Sequence, residues 1–179
     1  MRAVGRFRNR PVASAPMADN CSVASTERIP IDKQTRPVYR AQVAVAVAVR
    51  DAVAQAGLDR TVVELVNLRV SQINGCAYCL DVHTREALKD GEKAQRIAVL
   101  RAWRDTDLFS DVERAALAVA EAVTDLPSPD EQDRVYAEAR RHLTDDQFSA
   151  IVWVAIAMNA FNRVSIVSRH RVDPESWKS

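Results

Sequence analysis

Signals for the start and end of helices recur along this chain from residue 37 onward and divide it into segments of helical length. Pro37 lies in the first turn of one such segment and Gly57 follows its last residue, which is where these residue types normally stand around a helix. Asn74-Gly75 and Gly91 end two further segments. The chain has only 4 glycines, and Ala and Val dominate its apolar residues, so helices are favoured over a β architecture with many turns. We therefore expect an all-α fold.

Capping boxes mark two further helix starts. In each, a Ser or Thr is followed three residues later by Glu or Gln, as in Ser110 with Glu113 and Thr144 with Gln147. The sequence as a whole predicts a bundle of six to seven helices in a single domain over residues 37–170, which suits a chain of 179 residues. The predicted helices cover residues 37–56, 59–73, 76–90, 92–102, 110–124, 130–142 and 144–168.

Residues 1–36 mix Arg, Pro, Ser, Thr and Asn without apolar periodicity, and we expect a disordered or poorly ordered leader there. Its Arg-rich start is not followed by the continuous apolar stretch of a signal peptide. A transit peptide, or a true start at Met17, would also account for this composition. Residues 171–179 are expected to form a tail, and we expect the protein to be cytoplasmic.

Charge and hydropathy argue against two classes of partner. Residues 1–16 carry four arginines and no acid, and the remaining residues carry 21 basic and 24 acidic side chains, which gives no electrostatic reason to expect nucleic-acid binding. The last predicted helix is apolar nearly all round, but Asn159, Asn162 and Arg163 interrupt it, and such residues are costly in lipid. We expect this helix to lie in the core or in a subunit interface, with no membrane contact.

Cys76, Cys79 and His83 form the most informative cluster of the chain. The two thiols are three residues apart and the imidazole follows one turn later, so all three groups can share one helix face. The break at Asn74-Gly75 places the cysteines at a helix start, where unpaired N–H groups and the helix dipole lower the pKa of a thiol. His83 can then accept the thiol proton.

Glu64 lies twelve residues before Cys76, and only a chain reversal at Asn74-Gly75 could bring it over the cysteines. There it could orient His83 or carry a proton. Three uses of the cluster stay open at this point: a redox pair, a zinc site completed by Glu64, or a structural pair of cysteines. We treat the remaining cysteine and histidines as incidental, namely Cys21, His142 and His170.

The spacing Glu-x11-Cys-x2-Cys-x3-His, found here as Glu64, Cys76, Cys79 and His83, resembles the active-site pattern of the AhpD-like alkylhydroperoxidases. These proteins belong to the carboxymuconolactone decarboxylase superfamily, whose fold is all-helical. The resemblance covers roughly residues 38–170. It extends to the surrounding segments 68–76, 103–104, 109–114 and 159–163.

The resemblance implies a thiol-dependent peroxidase. By this analogy Cys79 attacks the peroxide and becomes a sulfenic acid, Cys76 resolves it to a disulfide, and His83 and Glu64 form a proton relay. No metal or tightly bound cofactor is implied. An external dithiol, such as a dihydrolipoyl group on a partner protein, would reopen the disulfide. Members assemble as trimers or hexamers, so a homo-oligomer is expected.

One position departs from the family pattern. Tyr78 precedes the second cysteine, where the studied peroxidase has His, so the reaction here would be weaker or tuned to another oxidant. Tyr78 and Ser71 are candidates for lining the substrate pocket. Two rival functions remain: a carboxymuconolactone decarboxylase-type lyase, although that branch generally lacks the cysteine pair, and a non-catalytic redox sensor or disulfide switch.

Overall fold

The part of the chain described by the computed structural model, residues 28–177, consists of eight α-helices and one 3₁₀ helix, with no strand. The predicted all-α fold is therefore confirmed. In chain order the elements are α1 (Ile31–Gln34), α2 (Arg36–Gln55), α3 (Arg60–Asn74), α4 (Ala77–Lys89), α5 (Ala94–Val99), the 3₁₀ helix (Leu100–Asp105), α6 (Asp111–Asp125), α7 (Pro129–Ala139) and α8 (Asp145–Ser168).

Both predicted capping boxes are confirmed, at the starts of α6 and α8, with hydrogen bonds in both directions between cap and third residue. Asp59, the first residue of the second predicted helix, stands at the N-cap of α3, and its side chain makes no cap hydrogen bond. Two predicted helices differ from the structure by more than one residue at a boundary. α5 begins at Ala94 because Glu92 belongs to the preceding turn, where its N–H donates to the Ala87 carbonyl (2.9 Å). α7 ends at Ala139, three residues early.

The expectation of a leader without structure up to residue 36 is wrong for its last part, where α1 forms. The N–H of Ile31 donates to the Ser168 hydroxyl (3.2 Å), and Asp32 pairs with His170 (3.2 Å). These partners lie at the other end of the chain, so no local pattern could have indicated the helix. The remainder of the predicted leader, with its arginines and Met17, falls in residues 1–27, which lie outside the described residues.

α3 is the central helix, packing against α4, α6 and α8. One of its faces contributes Val62, Val66 and Val70 to a core shared with α6 and α8. Another contributes Leu65 and Leu68 to a second core around the 3₁₀ helix. Because α3 is held on several sides, side chains that project from it have fixed positions.

α8 is long and apolar enough to span a membrane by length and composition alone. One side of it, however, is buried within the bundle, including Ile151, Val154 and Met158. Its central Asn162 is fully buried and hydrogen bonded, donating to the Ser71 hydroxyl (3.1 Å) and accepting from Asn74 (2.9 Å). α8 is thus a core helix, and its amides fix the end of α3.

Candidate active site

The turn between α3 and α4 reverses the chain and sets up the site. Gly75 follows the last residue of α3 with φ of 70°, a left-handed conformation that glycine adopts without steric cost. The N–H of Cys76 then donates to the Ser71 carbonyl (3.1 Å), and Cys76 becomes the N-cap of α4. As a result α4 runs back along α3, and Glu64 faces His83.

Cys76 and Cys79 are joined by a disulfide, with their Cα atoms 5.3 Å apart. Both residues are buried, and the Cys76 sulfur accepts a hydrogen bond from the N–H of Cys79 (3.3 Å). An amide of the first turn of α4 therefore points at a sulfur, as predicted for a helix start. In the part of the chain that is described, no group of three His, Cys, Asp or Glu side chains could hold a metal ion.

Glu64 and His83 form a hydrogen-bonded pair, with Oε2 of the carboxylate 2.7 Å from Nδ1 of the imidazole. The Glu64 side chain is only 4% exposed, and its other oxygen lies 3.5 Å from the Arg60 guanidinium. The hydrogen bond from Arg60 to Asp90 and the nearby carboxylates, Glu64 included, raise the pKa of Arg60. A carboxylate on Nδ1 directs Nε2 of His83 away from α3 as the proton-exchanging atom.

A cavity of about 410 Å³ lies against this pair and the disulfide. Cys79, His83 and Glu64 all line it, whereas Cys76 is not among the lining residues. The helical spacing of Cys79 and His83 explains why both reach the same space. Of the two sulfurs, the one that an entering molecule meets is therefore that of Cys79.

The two candidate pocket residues have different positions. Tyr78 lines the cavity, and its ring packs edge-on against His170 with centroids 5.2 Å apart. Ser71 does not line the cavity, and that expectation is corrected. It lies two turns beyond Glu64 on α3, is fully buried, and is bonded to Asn162.

Several cavity residues were not expected from the sequence, because they come from distant segments. His170, treated as incidental, lines the cavity and pairs with Asp32 of α1. Burial would raise the pKa of Asp32, but the hydrogen bond and charge of His170 outweigh it and lower that pKa. Burial, together with the charge of Asp32 and the nearby Tyr78, raises the pKa of Tyr39. Arg50 of α2 also lines the cavity, and no local signal distinguished it from other exposed arginines.

Comparison with known proteins places these features in a family. The model of the carboxymuconolactone decarboxylase family matches residues 39–122, which include all four residues of the Glu-Cys-Cys-His pattern. The uncharacterized protein YdfG of Bacillus subtilis is 42% identical over 117 residues, covering 65% of this chain and 80% of that protein. The alkyl hydroperoxide reductase AhpD of Corynebacterium aurimucosum is 36% identical over 72 residues, which cover 40% of this chain and 38% of that protein.

A solved structure has a similar fold over most of this chain. It is that of a protein of unknown function from Agrobacterium tumefaciens, provisionally described as the antioxidant defence protein AhpD. The two folds superpose with a TM-score of 0.73 at 31% sequence identity, over 82% of this chain and 99% of that one. The likeness thus extends beyond the segment that carries the cysteines.

Proposed function

This chain belongs to the carboxymuconolactone decarboxylase family, and we propose that it acts as a thiol-dependent peroxidase of the AhpD-like kind. One observation carries the proposal: the Cys76–Cys79 disulfide stands where Cys79, His83 and Glu64 face a common cavity. A sulfur that reacts reversibly, beside an imidazole that can move protons, is what peroxide reduction by thiols requires.

In the first step the reduced Cys79 transfers its thiol proton to Nε2 of His83, and the thiolate attacks one oxygen of the hydroperoxide. The O–O bond breaks, the sulfur is oxidised to a sulfenic acid, and the alkoxide takes the proton from His83 and leaves as an alcohol. Glu64, hydrogen bonded to Nδ1, holds the ring in place and stabilises the transient imidazolium.

In the second step the Cys76 sulfur attacks the sulfur of Cys79, and the sulfenic oxygen leaves as water with the proton of Cys76. The amide of Cys79 that points at the Cys76 sulfur favours the thiolate needed for this attack. An external dithiol then reduces the disulfide by two exchange steps and becomes a disulfide itself. We propose a dihydrolipoyl group, free or on a partner protein, as this dithiol, with no bound metal or cofactor, and a cytoplasmic location.

Peroxide consumption tests the proposal directly. Hydrogen peroxide and cumene hydroperoxide are supplied with dihydrolipoamide, and wild type is measured beside Cys79→Ser and Cys76→Ser. We expect Cys79→Ser to abolish turnover, and Cys76→Ser, treated with peroxide before any dithiol is added, to hold a sulfenic acid that dimedone traps. Equal rates in wild type and Cys79→Ser would overturn the proposal.

The same experiment separates the two rival functions. A disulfide switch would show reversible oxidation and a changed assembly state with negligible turnover. A lyase would show activity on a lactone acid that survives in Cys79→Ser, because decarboxylation needs no thiol. Either result would replace the peroxidase assignment.

A further inference from the structure

We propose that the cavity binds a hydroperoxide that carries a carboxylate on an apolar body, and that Arg50 binds this carboxylate. The inference rests on the proposed function and names the substrate class of the same site. It begins with the charged side chains that line the cavity. Among those described, all but one have a partner of the opposite type.

The other basic groups of the cavity already have acidic partners. Arg60 donates to Asp90 (3.0 Å) and lies 3.5 Å from Glu64. His83 pairs with Glu64, and His170 pairs with Asp32. Both carboxylates that line the cavity, those of Glu64 and Asp32, therefore have partners among the side chains of the protein.

Arg50 differs from these groups. Within residues 28–177 its guanidinium has neither an ion pair nor a side-chain hydrogen bond, although it lines the cavity. A guanidinium presents two parallel N–H donors that match a carboxylate. Among the described residues that line the cavity, Arg50 is thus the basic group without an acidic partner, and an anionic group on the ligand would supply one.

The rest of the cavity wall is largely apolar. Val49 and Val53 of α2 face the cavity together with Val154, Met158 and Phe161 of α8. A space of about 410 Å³ is far larger than hydrogen peroxide needs and lies within the size range of pockets for organic ligands. This wall favours a substrate with a hydrocarbon body.

The two polar ends stand on different helices. Arg50 belongs to α2, which packs on α1 and α8, and Cys79 belongs to α4, which packs on α3 and α8. Because both residues line the same cavity, a molecule bound there would have Arg50 and Cys79 as neighbours. Apolar walls with a cation at one position and a thiol at another select a hydroperoxide of an organic acid over a neutral one.

A matched pair of substrates tests this inference. Linoleic acid hydroperoxide and its methyl ester differ only in the charged group, and kcat/KM is measured for both below their micelle concentrations. Because Arg50 is exposed, we expect the acid-to-ester ratio to fall about five-fold in Arg50→Gln and to be largely kept in Arg50→Lys. Arg40→Gln is the control, since Arg40 lies on the same helix, is exposed and does not line the cavity.

A binding measurement keeps this inference separate from the peroxidase assignment. The hydroxy acid product is titrated calorimetrically into Cys79→Ser protein with and without Arg50→Gln, so no turnover is needed. Weaker binding in the Arg50 variant supports the inference even if neither hydroperoxide is reduced, a result that would overturn the peroxidase proposal alone. Turnover of both hydroperoxides with an unchanged ratio in Arg50→Gln would overturn the inference alone.

Discussion

At the scale of single residues, the burial of Glu64 is the feature that most affects the chemistry. A carboxylate that is 4% exposed needs partners, and it has two, the imidazole of His83 and the guanidinium of Arg60. The arrangement fixes the ring of His83 from the side of α3. The ring is therefore already oriented toward the cavity, so no reorganisation is needed when the substrate enters.

Glu64→Gln tests whether this pairing serves proton transfer. The amide keeps the shape of the side chain but removes the charge that stabilises an imidazolium, so the rate of sulfenic acid formation should fall about 10²-fold. Stopped-flow oxidation of the reduced protein measures that step without the dithiol. His142→Gln is the control, because His142 is exposed at the end of α7 and does not line the cavity. An unchanged rate in Glu64→Gln would mean that the pair has only a structural role.

At the scale of elements, a partly buried carboxylate joins three segments of the second core. Glu121 of α6 accepts hydrogen bonds from Arg69 of α3 (2.6 Å), from the Trp103 indole (3.0 Å) and from Arg104 (2.6 Å). Burial alone would raise the pKa of Glu121, but these three donors outweigh it and hold that pKa below its usual value. The contacts fix the 3₁₀ helix against α3 and α6.

Glu121→Gln should lower the free energy of unfolding by about 2 kcal/mol at neutral pH, because charge-assisted hydrogen bonds are lost. Since the pKa is lower in the folded state, this stabilisation is complete above the ordinary carboxyl pKa of about 4.5 and is lost as the pH falls through the folded value. Urea unfolding at a series of pH values from 7 to 3 measures how this stabilisation depends on pH.

The wild type should therefore lose more stability on acidification than Glu121→Gln does. Glu131→Gln provides the comparison, since the Glu131 pair with Arg134 is on the surface and its loss should leave the unfolding free energy nearly unchanged. Parallel pH profiles for wild type and Glu121→Gln would show that another carboxylate governs the acid transition.

Elements with local signals could be predicted, and those held by distant contacts could not. Ser110 and Thr144 cap helices through residues three positions away, so their sequence neighbourhoods were sufficient. α1 depends instead on Ser168 and His170, which no window of sequence connects to it. The turn at Gly75 could be identified, but only the packing of α4 on α3 decides that Glu64 meets His83.

The residues of the candidate site also fall into those that the sequence pattern shows and those that only the packing of helices brings in. The residues of the Glu-Cys-Cys-His pattern have a fixed spacing that the sequence shows. Arg50, Asp32 and His170 enter the cavity from α2, α1 and the segment after α8, and they stand out only once the helices are assembled. Ser71 shows the opposite case, since its place near the cysteines in sequence did not give it a place in the cavity.

At the scale of the whole molecule, the first and last parts of the described chain both bind to residues far away in the sequence. Asp32 near one end pairs with His170, and Trp177 near the other donates to Asp81 of α4 (2.5 Å). That hydrogen bond is the main cause of a lowered pKa for Asp81, with further contributions from Arg85 and Ser176. Asp32 and His170 therefore form part of the cavity wall, whereas Trp177 packs on α4 outside it.

The two longest helices, α2 and α8, both carry exposed apolar side chains. Val43 and Val47 of α2 are 42% and 47% exposed, and they are four residues apart on one helix face. Trp153 and Ile156 of α8 are 50% and 42% exposed and three residues apart. Because α2 packs on α8, these side chains belong to neighbouring helices, and apolar surface of this kind is typical of subunit contacts.

We propose that this surface joins copies of the chain in a homo-oligomer, a trimer or hexamer, and that Trp153→Asp weakens the assembly. A charge placed in an apolar contact must be desolvated without a partner, so the variant should dissociate to smaller species at micromolar concentration. Light scattering after size-exclusion chromatography measures the mass, and circular dichroism checks that the helices are intact. Leu126→Asp is the matched control, since Leu126 is 72% exposed at the end of α6. A monomeric wild type, or an unchanged mass in Trp153→Asp, would show that this surface does not join copies of the chain.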